Sequence, residues 1–252
     1  MKVEELIRHT VKILSEANYA IALTGAGIST PSGIPDFRSP QSGLWKHYNP
    51  FEVASIASFR QQPQNFYDWI HPIAKLVMEA EPNPAHLALA QLEDLGYLKS
   101  IITQNVDMLH NRAGSGNVFE VHGHLREATC LGCYTIYPAK PLWYQFIETG
   151  EVPRCRRCDG VLKPNVILIG EQLPVTVMNQ AKKQTRICDM MIVVGSSLEM
   201  APAGDLPLMA LESGARLVII NYSSTYIDEQ ADVVIHGDAV DILPRIVESL
   251  MN

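Results

Sequence analysis

The sequence predicts an α/β protein built on a parallel sheet, interrupted by two inserted segments of different character. Three observations predict it. Short apolar runs rich in β-branched residues recur along the 252 residues, as at Ile101-Ile102 and at 217–220. Stretches with apolar residues at helical spacing lie between them. Most of the runs end in glycine or in small or polar residues, as strands do where they open onto a ligand crevice. Continuous apolar strands alternating with amphipathic helices imply a sheet covered on both faces.

Taken in order, Val3, Leu6, Ile7, Val11 and Leu14 fall at helical spacing and predict a first helix. The apolar run 19–23 breaks into Thr24-Gly25-Ala26-Gly27, a strand ending in a glycine loop. Runs at 98–103, 118–121, 164–169, 190–194, 217–220 and 233–236 predict further strands. Helical patterns cover about 174–186 and 203–213, and the chain closes on another, Val240, Leu243, Ile246, Val247 and Leu250. Residues from about 42 to 81 have several prolines and aromatics at irregular spacing, which reads as a helical insertion. Residues from about 125 to 161 hold four of the five cysteines and little apolar periodicity, and read as a second small module. The sheet is then assembled from about 1–41, 82–124 and 162–252.

Composition narrows the function. A hydrophobic content of 47% supports a packed core. Twenty Lys+Arg against 27 Asp+Glu give a net charge of -7, which disfavours direct nucleic-acid binding through bulk charge and suits basic peptide partners. No apolar run approaches the ~18 residues of a membrane helix. The first residues, with Lys2, Glu4, Glu5 and Arg8, lack the apolar stretch of a signal peptide. The expectation is a cytoplasmic protein without a membrane partner.

Four places carry chemistry. Gly25-Ala26-Gly27-Ile28-Ser29-Thr30 can turn sharply and offer N–H groups to a phosphate. Thr30 replaces the third glycine of a dinucleotide fingerprint, so this signal alone is weak. Gly33-Ile34-Pro35-Asp36-Phe37-Arg38-Ser39 sets an acid, a ring and a base side by side, suited to a small ligand or, more plainly, to a local salt bridge. The strand at 98–103 runs into Gln104-Asn105-Val106-Asp107, and polar side chains at a strand end are poor packing and good recognition, although one of them could simply cap the next helix. Val121 precedes His122-Gly123-His124, where either imidazole could serve as a base near neutral pH.

Cys130-x-x-Cys133 and Cys155-x-x-Cys158 are two knuckles at zinc-ribbon spacing. Four thiolates suit a closed tetrahedral Zn2+ with no open position for water, hence a structural metal. Disulfides and an iron–sulfur cluster are the alternatives. Cys188 stands apart beside an apolar strand and reads as a buried small hydrophobe. Later strands end in Gly195-Ser196-Ser197-Leu198, in Asn221 and in Gly237-Asp238-Ala239, together favouring one extended ligand along the sheet edge.

With these motifs in this order, the chain resembles the sirtuins, NAD-dependent protein-lysine deacylases, over almost its whole length. The resemblance implies a Rossmann-like domain with an inserted zinc-ribbon module and a helical module. It implies NAD as co-substrate, one structural Zn2+ and acyl-lysine peptides or proteins as partners. Carried over residue by residue, Gly25, Ala26, Ser29 and Thr30 would hold the phosphates and ribose of NAD. Asp36, Phe37 and Arg38 would border the nicotinamide side. Gln104, Asn105, Val106 and Asp107 would surround its ribose and carboxamide. Gly195, Ser196, Ser197, Asn221, Asp238 and Ala239 would take the adenosine end. His122, rather than His124, would be the general base, and Ile167, Ile169 and Met200 would line the peptide cleft. Two departures stand out. Ile169-Gly170-Glu171 replaces an aromatic Phe-Gly-Glu. Tyr67 is followed three residues later by Ile70, where members favouring acidic acyl groups carry Arg. Acetyl and longer apolar acyl groups are therefore expected over succinyl, with nicotinamide and O-acyl-ADP-ribose as products.

Overall fold

The computed structural model describes residues 2–36, 43 and 48–251. The helix predicted first is α1 (Val3–Glu16), with Ile7, Ile13 and Leu14 buried. The strand that follows, β1 (Ala20–Thr24), is buried at all five positions. The helical insertion comprises α2 (Pro50–Val53), α3 (Ile56–Gln61) and α4 (Pro63–Glu79). Then come α5 (Pro84–Asp94), β2 (Leu98–Thr103), α6 (Leu109–Arg112) and β3 (Val118–Glu120). The cysteine-bearing region holds β4 (Gly123–Cys130), β5 (Ile136–Pro138), α7 (Ala139–Thr149) and β6 (Leu162–Val166). The chain ends with α8 (Val175–Ile187), β7 (Met190–Val194), α9 (Leu206–Glu212), β8 (Arg216–Ile220), β9 (Val233–Ile235) and α10 (Ala239–Met251).

The main sheet has six parallel strands in the order β3-β2-β1-β7-β8-β9. Alternation along each strand divides its side chains between two cores. Ala20, Ala22, Ile101, Ile192 and Val218 face a layer of α1, α5 and α10, packing on Leu14, Leu89, Leu92, Leu243 and Ile246. Ile21, Leu23, Ile102, Met191, Val193 and Ile219 face α8 and α9, packing on Met178, Ala181, Leu206 and Ala210. The chain leaves β1 toward one edge and returns at β7 to build toward the other. A ligand crevice opens at such a reversal, beyond the carboxyl ends of the strands.

The strand expected at 164–169 behaves differently from its apolar pattern. It runs from Leu162 to Val166 and pairs antiparallel with β4, in a three-stranded sheet of order β5-β4-β6. Beyond it, the backbone of Ile169 bonds the helical insertion: Ile169 N donates to Ala54 O and Ile56 N to Ile169 O. The two insertions share a third core. Phe59, Phe66, Tyr67 and Trp69 of α3 and α4 pack with Trp143 and Phe146 of α7 and with Leu162, Val166 and Leu168. Edge-on ring contacts at 5.0–5.8 Å run through this cluster, an arrangement aromatic quadrupoles favour.

Candidate active site

At the reversal point the loop after β1 meets the loop after β7 backbone to backbone. Gly27 N donates to Gly195 O at 2.8 Å, and Gly25 N to Val194 O. Gly195 has φ +60, and a Cβ there would lie 2.3 Å from Ile28 N. No side chain fits between the two loops, so glycine brings both strand ends to one edge of the crevice.

Polar side chains from β1, β2 and the loops beyond them interlock on the floor of this edge. Ser29, 1% exposed, donates from Oγ to Asp107 Oδ2 at 2.7 Å. Asn105 donates from Nδ2 to Gly25 O and to Ser29 Oγ, both at 3.1 Å. Asp107 Oδ1 accepts from Leu109 N, so it also caps α6; the capping role and the site role fall on one carboxylate. Burial pushes the Asp107 carboxyl above the usual carboxylate range, against the bonds from Leu109 and Ser29. Gln104 reaches across the crevice, donating from Nε2 to Ser196 Oγ at 3.0 Å.

Two histidines that the sequence did not flag complete this floor. His86, on α5, lies with Nε2 3.4 Å from Ser29 Oγ. His110, on α6, bonds Thr24 through Nε2 at 2.8 Å. Their rings meet edge-on at 4.9 Å. Thr24 donates to Thr103 Oγ1, so its oxygen accepts from His110 Nε2–H, and Nδ1 of His110 is left deprotonated without a partner. Burial lowers His86 to about 4. Burial, with His86 beside it, lowers His110 to about 3. Both rings are neutral polar packing beneath the crevice at physiological pH. The only local signal was Asn83-Pro84 ahead of His86, a helix start; Asn83 Oδ1 accepts from Ala85 and His86 N, and Nδ2 donates to Ile28 O.

His122 follows β3 at the mouth of the crevice. Its Nδ1 lies 3.0 Å from Gln104 O. A carbonyl only accepts, so Nδ1 carries the proton, and in the neutral form of the ring the lone pair lies on Nε2. Gly123 (φ +78) lets the chain turn immediately after it; a Cβ there would sit 2.1 Å from Asn165 O. His124 instead lines a groove of about 760 Å³ with Glu120, Arg126 and Lys163.

Among the described residues, the other predicted positions lie in the loops and turns around these strand ends. Ala26 and Thr30 lie in the loop after β1, where Thr30 Oγ1 donates to Gly27 O. Val106 lies between Asn105 and Asp107, half-buried, and Ser197 follows Ser196 in the same state. Asn221, after β8, donates from Nδ2 to Ser223 O. Asp238, ahead of α10 and beside Ala239, accepts from Tyr222 Oη at 2.8 Å and Val240 N. Asp36 is half-buried beyond the glycine loop, while Phe37 and Arg38 lie outside the described residues. Ile167 and Ile169 flank Leu168, with Ile167 N donating to the backbone O of His122 at 2.8 Å. Met200, 39% exposed, lies in the turn after β7. A row of polar groups from β2 to β9, floored by glycine and small residues, fits an extended dinucleotide.

In the small module the four Sγ atoms of Cys130, Cys133, Cys155 and Cys158 lie within 4.8 Å of one another. Backbone N–H groups of Gly132 and Arg157 point at Cys130 and Cys155 Sγ, both at 3.4 Å. Such donors stabilise thiolates, and the donor set fits a closed zinc site.

Comparison with known proteins bears on this arrangement. A family model described as the Sir2 family matches residues 25–202. An NAD-dependent protein deacylase 2 of Archaeoglobus fulgidus is 45% identical over 251 residues, covering 98% of this chain and 97% of that one. A solved Sir2 complex with a deacetylated p53 peptide and 3'-O-acetyl ADP-ribose superposes with a TM-score of 0.91 at 38% identity, covering 99% and 98%. A structure of Sir2Tm bound to a propionylated peptide gives 0.87 at 36% identity, covering 99% and 98%.

Proposed function

From the premise that this chain belongs to the Sir2 family, we propose an assignment of roles to its residues and a preference among its acyl substrates. The protein is an NAD-dependent protein deacylase with NAD as co-substrate and a structural zinc held by Cys130, Cys133, Cys155 and Cys158. Bound NAD supplies the ADP-ribose that receives the acyl group, with nicotinamide as the leaving group.

His122 is the general base: the Gln104 carbonyl fixes its Nδ1 proton, so Nε2 can take a proton from a ribose hydroxyl. This bond is the observation that carries the assignment. Asn105 and Asp107 hold the nicotinamide end in place, and Ser29, at the phosphates and ribose, bonds both of them and so fixes their side chains. Gln104 and Ser196 span the crevice at the ribose. Gly25, Ala26 and Thr30, with Ser29, hold the phosphates and ribose, and Gly195, Ser196, Ser197, Asn221, Asp238 and Ala239 take the adenosine end. Asp36 and Val106, with Phe37 and Arg38, border the nicotinamide side. Ile167, Ile169 and Met200 form the apolar wall for the acyl-lysine.

The acyl preference is for acetyl and longer apolar groups over succinyl. Tyr67 is 1% exposed, and its hydroxyl donates to Leu162 O at 2.6 Å. That phenol is committed to the backbone, and Ile70 offers no charge to a carboxylate. Acetyl, propionyl, butyryl, myristoyl and succinyl lysine peptides incubated with NAD test both points. The expected result is turnover of the apolar members and an about 100-fold or greater loss in His122→Ala. Succinyl as the best substrate refutes the preference, and full turnover by His122→Ala refutes the base.

A further inference from the structure

One buried ion pair lies outside the NAD crevice and has no part in the chemistry above. Lys163, on β6, has a side chain only 9% exposed. Its ammonium meets Glu171 Oε2 at 2.9 Å, Val166 O at 2.7 Å and Pro164 O at 3.1 Å. Those three acceptors use its three protons. Glu171 Oε2 also accepts from Leu168 N at 2.8 Å, and Glu171 N donates back to Leu168 O. A lysine stripped of water is costly, and burial lowers its pKa. An apolar residue of the same length would suit β6 better if stability were the only demand.

What the pair holds is the segment 166–171. That segment is pinned at its start to the backbone O of His122, through Ile167 N, and further on to the helical insertion, through Ile169 N and O. Between those anchors no regular sheet pairing fixes it, because β6 ends at Val166. Lys163 and Glu171 close the gap from beneath, one grasping Val166 O and the other Leu168 N. Both line the groove of about 760 Å³ together with Ile167, so the pair lies directly beside the residue it would position.

We propose that Lys163 and Glu171 are positioning residues for the acyl-peptide wall: their ion pair sets the backbone of Ile167–Ile169 against His122, and so tunes peptide binding without touching NAD. The inference rests on the reading of Ile167 and Ile169 as that wall. Steady-state kinetics of the zinc-loaded enzyme, varying an acetyl-lysine peptide and NAD in turn, tests it. Lys163→Met should raise KM for peptide about tenfold, the scale of coupling through a packed network, and leave KM for NAD unchanged. Lys163→Arg should restore the peptide KM. Glu171→Gln keeps an acceptor for Leu168 N but loses the charge, and should shift the peptide KM the same way by less. If Lys163→Met does not fold, Glu171→Gln decides alone.

Ile169→Ser separates the two layers of the claim. If it raises the peptide KM while the Lys163 and Glu171 variants leave it unchanged, the wall stands and the pair's role falls. If none of the three moves it, wall and pair fall together. Equal rises in the KM for peptide and for NAD, or no rescue by arginine, overturn the proposal as well, since either marks general loosening.

Discussion

At the scale of single residues, the site depends on a few positions where no other side chain fits. Gly123 is the sharpest case. Its φ of +78 and the 2.1 Å approach of a built Cβ to Asn165 O exclude any substitution without moving β6 or the His122 backbone. Gly123→Ala should therefore lower stability by about 2–4 kcal/mol and cut deacylation about 100-fold, since displacing a base by an ångström is enough for that. Denaturant titration and a nicotinamide-release assay check the two parts, and a folded variant with normal turnover contradicts the argument. The motif residues at strand ends were legible because a polar or glycine residue after a buried strand has few structural uses. His86, His110, Lys163 and Glu171 were not. None of them forms a recognisable motif with its sequence neighbours, and the meaning of each comes from partners brought together only by folding, as His110 meets Thr24 across 86 positions.

At the scale of elements, the sequence separated helices from strands better than it assigned strands to sheets. The run near 164–169 has the apolar character of a parallel strand, yet it pairs antiparallel with β4; apolarity reports burial on two sides, not the direction of the neighbour. Helix α5 gave no clean stripe because Ala85, Ala88, Leu89, Ala90 and Leu92 are all buried, filling more than one face. Its capping residue nevertheless makes a prediction. Asn83 caps α5 and donates to Ile28 O in the glycine loop, so Asn83→Ala should lower stability by about 1–2 kcal/mol and raise the KM for NAD by loosening that loop. A change in stability with an unaltered NAD KM would show that the cap does not steady the loop. The zinc knuckles were fully legible from spacing. Removing the metal with a chelator, or Cys155→Ser, should lower the melting temperature and expose the third core, because the metal joins the end of β4 to the loop leading into β6. Metal analysis giving one zinc per chain, lost together with the melting transition, is the matching measurement.

At the scale of the whole molecule, the buried histidine pair links the site to acid stability, and the sign follows from where the protons bind. In the folded chain His86 and His110 stay neutral until about pH 4 and about pH 3. In the unfolded chain both titrate near 6.5. Below 6.5 the unfolded state therefore binds more protons, so the stability these rings contribute is fully present above that pH and is lost as pH falls toward their folded values. Each ring contributes a slope of about 1.4 kcal/mol per pH unit through that window. Asp107 acts oppositely. Its carboxyl is raised by burial, so the folded state holds a proton that the unfolded state has released, and acidification favours the fold at that one site. Two histidines stand against that one carboxylate, so on balance stability falls between pH 6.5 and 5. Denaturant unfolding at pH 7, 6 and 5 should show falling stability in the parent protein. In His110→Gln, whose amide can still reach Thr24 Oγ1, the slope should be shallower by about 1.4 kcal/mol per pH unit. Parallel slopes for the two proteins would mean that His110 takes up its proton without unfolding, and the floor of the crevice would then have to open to water.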